Sequence, residues 1–130
     1  MKKVLILNGH QYYDVVARGE LTNHYIDKAN KFFEENGFEV KNTHIEKGYT
    51  IEEEVEKFKW ADYILFQYPV YWMSLPWIAK KYIDETFTQG VHYESDGRSR
   101  SDASKLYGSG GLMQDKKYML SLTYNCPDSA

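Results

Sequence analysis

A chain of 130 residues is one domain in size, and 42% hydrophobic with 27% charged residues make it globular rather than disordered or fibrous. Sixteen basic against nineteen acidic side chains, a net charge of −3, argue against nucleic-acid or anionic-membrane binding, and no apolar run nears the roughly 18 residues of a bilayer span. A single cysteine, Cys126, rules out an internal disulfide and a cysteine-based zinc site; the short Val4-Leu5-Ile6-Leu7 run is no signal peptide, so the expected location is the cytoplasm.

Lys3 to Asn8 (KVLILN) reads as a short buried strand ending at Asn8-Gly9. Gly9 to Gly19 is a polar loop carrying tyrosines. A helix is predicted from Glu20 to Asn36, with Leu21, Tyr25, Ala29, Phe32 and Phe33 on one apolar face and Gly37 closing it. Phe38 to His44 alternates as an edge strand does. Thr50-Ile51-Glu52-Glu53 has capping-box spacing and opens a second helix, with Ile51, Val55 and Phe58 inward and acids outward. Asp62 to Gln67 predicts a third strand, stopped by Pro69. Pro76 falls in the first turn of a third helix that runs to about Phe87, with Ile78, Ile83 and Phe87 inward. The polar stretch Thr88 to Lys116 exceeds normal loop length and suggests a lid or a dimer arm. Tyr118 to Thr123 (YMLSLT) predicts a fourth strand.

Strands alternating with helices imply an α/β fold, a parallel sheet covered on both faces. Only seven residues follow Thr123, so YMLSLT is expected as an apolar edge. Either the sheet is small, or a partner covers that edge, or the chain is a shortened one.

Ligands of such sheets bind outside the carboxyl ends of the strands. The first loop there lacks a G-x-G-x-x-G turn. Its end, Ala17-Arg18-Gly19-Glu20-Leu21, offers free N–H groups at a helix start, with Arg18 as a cation; this suits a phosphate, or is an ordinary loop with a surface arginine. Tyr68 to Trp77 packs four aromatic rings, two prolines and a methionine into ten residues (YPVYWMSLPW). Pro69, Val70, Tyr71, Trp72 and Met73 read as a stiff platform for a flat ring, with a hydrophobic dimer contact as the alternative. Tyr107-Gly108-Ser109-Gly110-Gly111 permits close backbone approach to a ligand, and Asp96-Gly97-Arg98 reads as a solvated turn. Cys126 has no activating neighbour, the four histidines lack metal-ligand spacing, and no nucleophile–base pair stands out. With no catalytic side chain nominated, a cofactor has to carry any redox reaction.

Asn8-Gly9, Trp60-Ala61-Asp62, Pro69 to Met73, Pro76-Trp77 with Lys80 to Asp84, Phe87-Thr88, Ser95 to Arg98, Lys105 with Tyr107 to Leu112, and Lys116 to Thr123 resemble the NAD(P)H:quinone oxidoreductase flavoproteins. The resemblance covers nearly the whole chain. It implies a single flavodoxin-like domain over 1–130, a doubly wound, three-layer parallel sheet that is short at its C-terminal side and lacks the family's fifth strand. It also implies bound FAD rather than FMN, NADPH or NADH as electron donor, a quinone substrate and a homodimer. By position, Ala17, Arg18, Gly19, Glu20 and Leu21 are expected at the FAD phosphates, and Val70 to Met73 at the isoalloxazine. Tyr107 with Thr123, Tyr124, Asn125 and Cys126 is expected to complete the flavin pocket. Trp72 and Tyr107 are expected to form the slot where nicotinamide and quinone alternate. The implied reaction is hydride transfer from NAD(P)H through flavin N5, then two-electron reduction of the quinone. The alternatives are a truncated, non-enzymatic flavodoxin-like protein or subunit acting through an oligomer interface, and, ranked third, a one-electron FMN carrier, for which the first loop lacks a Ser/Thr-rich phosphate turn.

Overall fold

A computed structural model of the chain describes residues 1–129. Four strands, β1 (Lys3–Asn8), β2 (Glu39–His44), β3 (Tyr63–Pro69) and β4 (Lys117–Thr123), form one parallel sheet in the order β2-β1-β3-β4. Three helices, α1 (Glu20–Glu35), α2 (Ile51–Trp60) and α3 (Trp77–Thr86), connect them, with a single 3-10 turn at Ile45–Lys47. This is the flavodoxin-like three-layer arrangement expected. Among the described residues no helix is long and apolar enough to cross a membrane.

The two central strands are apolar at nearly every position because both of their faces are covered. Val4, Ile6 and Leu65 face α1, packing with Ile26, Ala29 and Phe33. Leu5, Leu7, Phe66 and Tyr68 face the other way, onto Phe58, Ile78, Ala79 and Tyr82. Gly9 lets β1 leave the sheet beneath α3: a Cβ there would stand 2.8 Å from the Phe66 ring. After β1 the chain turns to β2 on one side, then crosses to β3 on the other. The loops leaving β1 and β3 therefore diverge and open a crevice at their carboxyl ends.

Several elements differ from the sequence reading. The inward stripe of α1 is the buried Thr22 with the half-buried Ile26, Ala29 and Phe33, so Ala29 and Phe33 lie inward as expected whereas Leu21, Tyr25 and Phe32 are exposed. Both sets recur at helical spacing, and only the sheet decides which one turns inward. The capping box does not form, since Thr50 makes no side-chain bond at the start of α2. Glu54 belongs to the inward side and is buried, which leaves the acidic outer face to Glu52, Glu53 and Glu56. Phe87 lies past the end of α3 and is partly exposed, but it stacks on His92 and meets Phe58 edge-on. Pro76 is the residue before α3 rather than inside its first turn. Strand β3 runs through Pro69, two residues past its expected end. The Gln67 carbonyl takes the Gly9 N–H on the β1 side, and Val70 donates to Thr123 on the β4 side. By alternation the Pro69 nitrogen faces β1, just beyond where that strand has ended, so its missing hydrogen breaks no bond.

The segment between α3 and β4 contains neither helix nor strand and is held by its own packing. His92 is buried between Phe58 and Phe87, and its Nδ1 accepts the Thr88 N–H. Burial lowers the pKa of His92, as it does those of His10 and His44, below the ordinary 6.5. The unfolded chain therefore takes up more protons once the pH drops below about 6.5. That contribution to stability is present above this pH and is lost on acidification. The urea midpoint at about pH 5.5 is expected below that at about pH 7.5; an unchanged or higher midpoint at acid pH would show that these rings do not govern stability there.

Candidate active site

Two loops meet in the crevice between β1 and β3. The turn after β3 is closed by Tyr71 N–H to Ser74 O (2.8 Å) and Ser74 N–H to Tyr71 O (3.2 Å). Its central residues, Trp72 (φ 49) and Met73 (φ 65), both lie in the left-handed region. This is the backbone of a type I′ turn, normally given to Asn-Gly, and each non-glycine residue held there costs about 1 kcal/mol or more. Trp72 and Met73 are 98% and 97% exposed, so no packing within the chain compensates. Neither of their N–H groups is donated to another group among the described residues. The turn is strained and stiff, and it presents two free N–H groups and a bare indole to solvent.

The loop after β1 is tied to this turn from below. Asn8 is buried and accepts the His10 N–H, while its amide donates to Asn23 on α1. The Tyr71 hydroxyl donates to the Gln11 carbonyl at 2.8 Å and lies 3.1 Å from His10 Nε2. A carbonyl only accepts, so the single phenol hydrogen goes to Gln11, and His10 Nε2 carries the hydrogen donated to Tyr71. His10 Nδ1 is left as a lone pair beside Gly19, where a Cβ would stand 3.0 Å from it. Burial favours this neutral ring, with Glu46 opposing. Glu46 also accepts from Gln11 Nε2 (3.2 Å) and the Tyr12 N–H (2.8 Å), fixing the start of the loop. Further on, Tyr13 and Ala17 exchange backbone bonds across a tight turn, and the Tyr13 ring leans on Tyr71 at 5.7 Å.

This loop delivers the start of α1 uncapped. Gly19 takes φ 84, no side chain caps the helix, and Asn23 is the first to donate back, to Gly19 O. The N–H groups of Glu20, Leu21 and Thr22 are thus left open at the dipole-positive end, the arrangement that receives an anion. Arg18 is exposed nearby, 3.9 Å from an exposed Asp14.

Residues 2–130 match the flavodoxin-like fold family. The NADPH:quinone oxidoreductase MdaB of Haemophilus influenzae is 44% identical over 98% of this chain and 67% of its own length. The chain belongs to the flavodoxin-like NAD(P)H:quinone oxidoreductase family. This member spans about two thirds of the length of that relative. Its fold is also that of an azoreductase from Bacillus anthracis (TM-score 0.72, 16% identical, covering 100% of this chain and 72% of the other). The general stress protein 14 of Treponema denticola, solved in complex with FMN, has the same fold (TM-score 0.62, 20% identical, 98% and 64%).

For this family member the structure brings together Ala17 to Leu21 at the mouth of α1, Pro69 to Met73 on the turn, and Thr123, whose carbonyl accepts the Val70 N–H at 2.7 Å. Tyr124 and Cys126 follow in the exposed tail, where the Tyr124 hydroxyl reaches Asp128 at 3.4 Å and Cys126 is free; Asn125 lies between them. Tyr107 makes no hydrogen bond or ring contact with the turn; it is exposed, with the Arg98 guanidinium over its ring at 5.3 Å. The neighbouring glycines serve the loop itself. Gly110 lies so close to the Ser95 carbonyl that a Cβ would stand 2.1 Å from that oxygen, and Gly108 donates to Asp96. Residue patterns alone missed Asn8, His10 and Gln11, which bind the two halves of the site together. The one signal for them was the polar Asn-Gly-His-Gln run directly after a buried strand.

Proposed function

We propose that this chain is the flavin-binding unit of an NAD(P)H-dependent quinone reductase, one domain over 1–130 with Ala130 outside the described residues. The observation that supports this most is the Trp72-Met73 turn, strained and bare, beside the uncapped start of α1. The residues suit the cofactor. The Trp72 and Met73 N–H groups would meet the polar edge of the ring system, with Thr123 to Cys126 bordering it, and Ala17 to Leu21 would hold a phosphate. These features account for a ring and an adjoining phosphate, the part FMN and FAD share. The FMN bound by the Treponema protein favours the smaller flavin over the FAD expected from the resemblance.

When bound, a flavin supplies the two-electron redox chemistry that none of these side chains possesses. The chain's own work is placement. Pro69 and the Tyr71–Gln11–His10 bonds keep the turn stiff. The Trp72 indole offers an apolar face on which a second flat ring, nicotinamide or quinone, stacks. The neutral His10 holds the two loops in register without adding a charge to the phosphate end.

Purified protein incubated with FMN or FAD is expected to keep the visible flavin absorption through gel filtration and to oxidise NADPH when menadione is supplied. Acid-released flavin, assayed with and without phosphodiesterase, distinguishes the two forms. A folded protein that retains neither flavin after reconstitution would refute the proposal.

A further inference from the structure

An open hollow of about 700 Å³ lies between the starts of α2 and α3. None of its lining residues belongs to β4 or to the segment before it. Ile45 and Ile78 line it as buried side chains. Ile51 and Trp77, the first residues of α2 and α3, also line it and are 41% and 61% exposed. The Tyr49 ring is a fixed wall: it meets Tyr82 edge-on at 4.9 Å, and its hydroxyl donates to Glu85 Oε2 at 2.5 Å. Five apolar or aromatic side chains around a space that folding leaves open keep apolar surface in water, and an apolar guest would remove it.

The hollow adjoins the crevice. Gln11 lines it, and the Gln11 carbonyl accepts the Tyr71 hydroxyl that steadies the Trp72-Met73 turn. Trp77 follows that turn by only four residues. A substrate whose ring lies on Trp72 can therefore run a side chain past Gln11 toward Trp77. The charges decide which side chain. Glu46, Glu52 and Glu85 border the hollow against one cation, Lys81, whose ammonium is already engaged by Glu85 Oε1 at 2.6 Å. That bond, and then the one from Tyr49, hold the Glu85 carboxyl below the usual carboxylate range, so it stays charged. A net negative rim repels the phosphates of a dinucleotide donor and leaves a neutral chain unopposed.

We propose that this hollow seats the apolar side chain of a prenylated quinone, between Ile51 of α2 and Trp77 of α3. The proposal rests on the flavin-binding reading and narrows its substrate class to neutral quinones bearing an isoprenoid chain. A CH₂ removed from water is worth about fourfold in affinity, so two or three of them seated there lower KM on the order of 30-fold.

FMN-reconstituted protein supplied with NADPH is expected to show that difference between menadione carrying a geranyl chain and menadione itself. A chain of the same length ending in a carboxylate is expected to gain less than about threefold, because it meets the acidic rim. Ile51→Glu is expected to cancel most of the geranyl gain and to leave the KM for menadione within about twofold; an acid in the first turn of α2 suits the helix dipole, so the variant folds. Trp77→Ser, at an exposed position, serves as the second variant with the same expected outcome. A readout independent of turnover uses the flavin-free Trp72→Phe protein. Farnesol is expected to shift its tryptophan emission saturably to shorter wavelength, and to leave it unchanged when Ile51→Glu is added. Equal KM values for the geranyl quinone and menadione, an equal gain from the carboxylate chain, variants that raise both KM values alike, or no saturable farnesol shift would each overturn the proposal. A protein that retains no flavin and reduces neither quinone marks failure of the flavin reading instead, and the farnesol shift then decides whether the hollow takes an isoprenoid chain.

Discussion

Replacing Trp72-Met73 by Asn-Gly is expected to stabilise the protein and to spare flavin retention, while Met73→Pro abolishes retention. Both native residues hold left-handed dihedrals that Asn and Gly adopt at little cost, so relief of about 1–2 kcal/mol is expected, a rise of roughly 5 °C in Tm for a domain of this size. The Asn-Gly backbone still presents both N–H groups in the same directions. If those groups hold the ring's polar edge, flavin affinity changes by less than about tenfold. Turnover of the quinone is expected to fall instead, because the indole proposed to stack on it is gone. A proline in place of Met73 cannot adopt φ 65 and has no N–H, so it removes one donor and reopens the turn. Retention should then fall by more than about 100-fold, from loss of one charge-assisted or buried bond and of the turn that aims the other. Both native residues are solvent-exposed, so the Met73→Pro variant is expected to fold. Fluorescence titration with FMN, set against thermal melts, separates the two effects. If the Asn-Gly variant lost flavin as completely as Met73→Pro, the side chains and not the backbone would be the holders.

That separation also explains which parts of the molecule could be read from the chain. Element types and order were legible because β1 and β3 are apolar at nearly every position and each helix has a clear period. The choice of face on α1 was only partly legible: Ala29 and Phe33 turn inward as expected, but Leu21, Tyr25 and Phe32 keep helical spacing with them as well as Thr22 and Ile26 do, until a sheet stands against one side. The extension of β3 through Pro69 was hidden by a local rule, that proline ends a strand, which fails when the missing hydrogen faces an already finished neighbour. At the site, the YWM turn was conspicuous by composition. Its strained dihedrals were not, because nothing in Trp-Met suggests φ > 0. The bonds from Tyr71 to Gln11 and His10 span about 60 positions and have no sequence signature at all. The glycines near Tyr107 illustrate the reverse error: a signal for close approach was present, but the close approach is to the Ser95 carbonyl.

The largest loss of stability is expected from Glu54→Ala, at about 3–5 kcal/mol, enough to unfold a marginal domain. Glu54 is 1% exposed, and its carboxylate accepts from Tyr82 Oη (2.6 Å), Thr43 Oγ1 (2.7 Å) and Lys57 Nζ (2.7 Å). It thereby links α2 to α3 and to β2. Burial, then the bond to Glu54, raises the Tyr82 pKa well above the ordinary phenol value, so Tyr82 remains a donor at every pH the fold survives. Without the carboxylate, the Tyr82 hydroxyl has no acceptor in a fully buried site, whereas Lys57, partly exposed, can turn to solvent. Tyr82→Phe alone removes one donor to a charge and is expected to cost about 1.5–3 kcal/mol. Made in the Glu54→Ala background, the same change should cost almost nothing, since it deletes a group already orphaned; the coupling energy should therefore exceed about 1 kcal/mol. Urea unfolding of the four proteins gives that cycle directly, and additive losses would show that the two groups act independently. The consequence reaches the crevice through β2. Thr43 is the residue before His44, the chain then turns through Glu46, and Glu46 fixes Gln11 and Tyr12. A partly destabilised variant such as Tyr82→Phe is thus expected to lose flavin at temperatures where its helices are still intact, because the loop proposed to hold the phosphate is anchored to the strand this carboxylate holds in place.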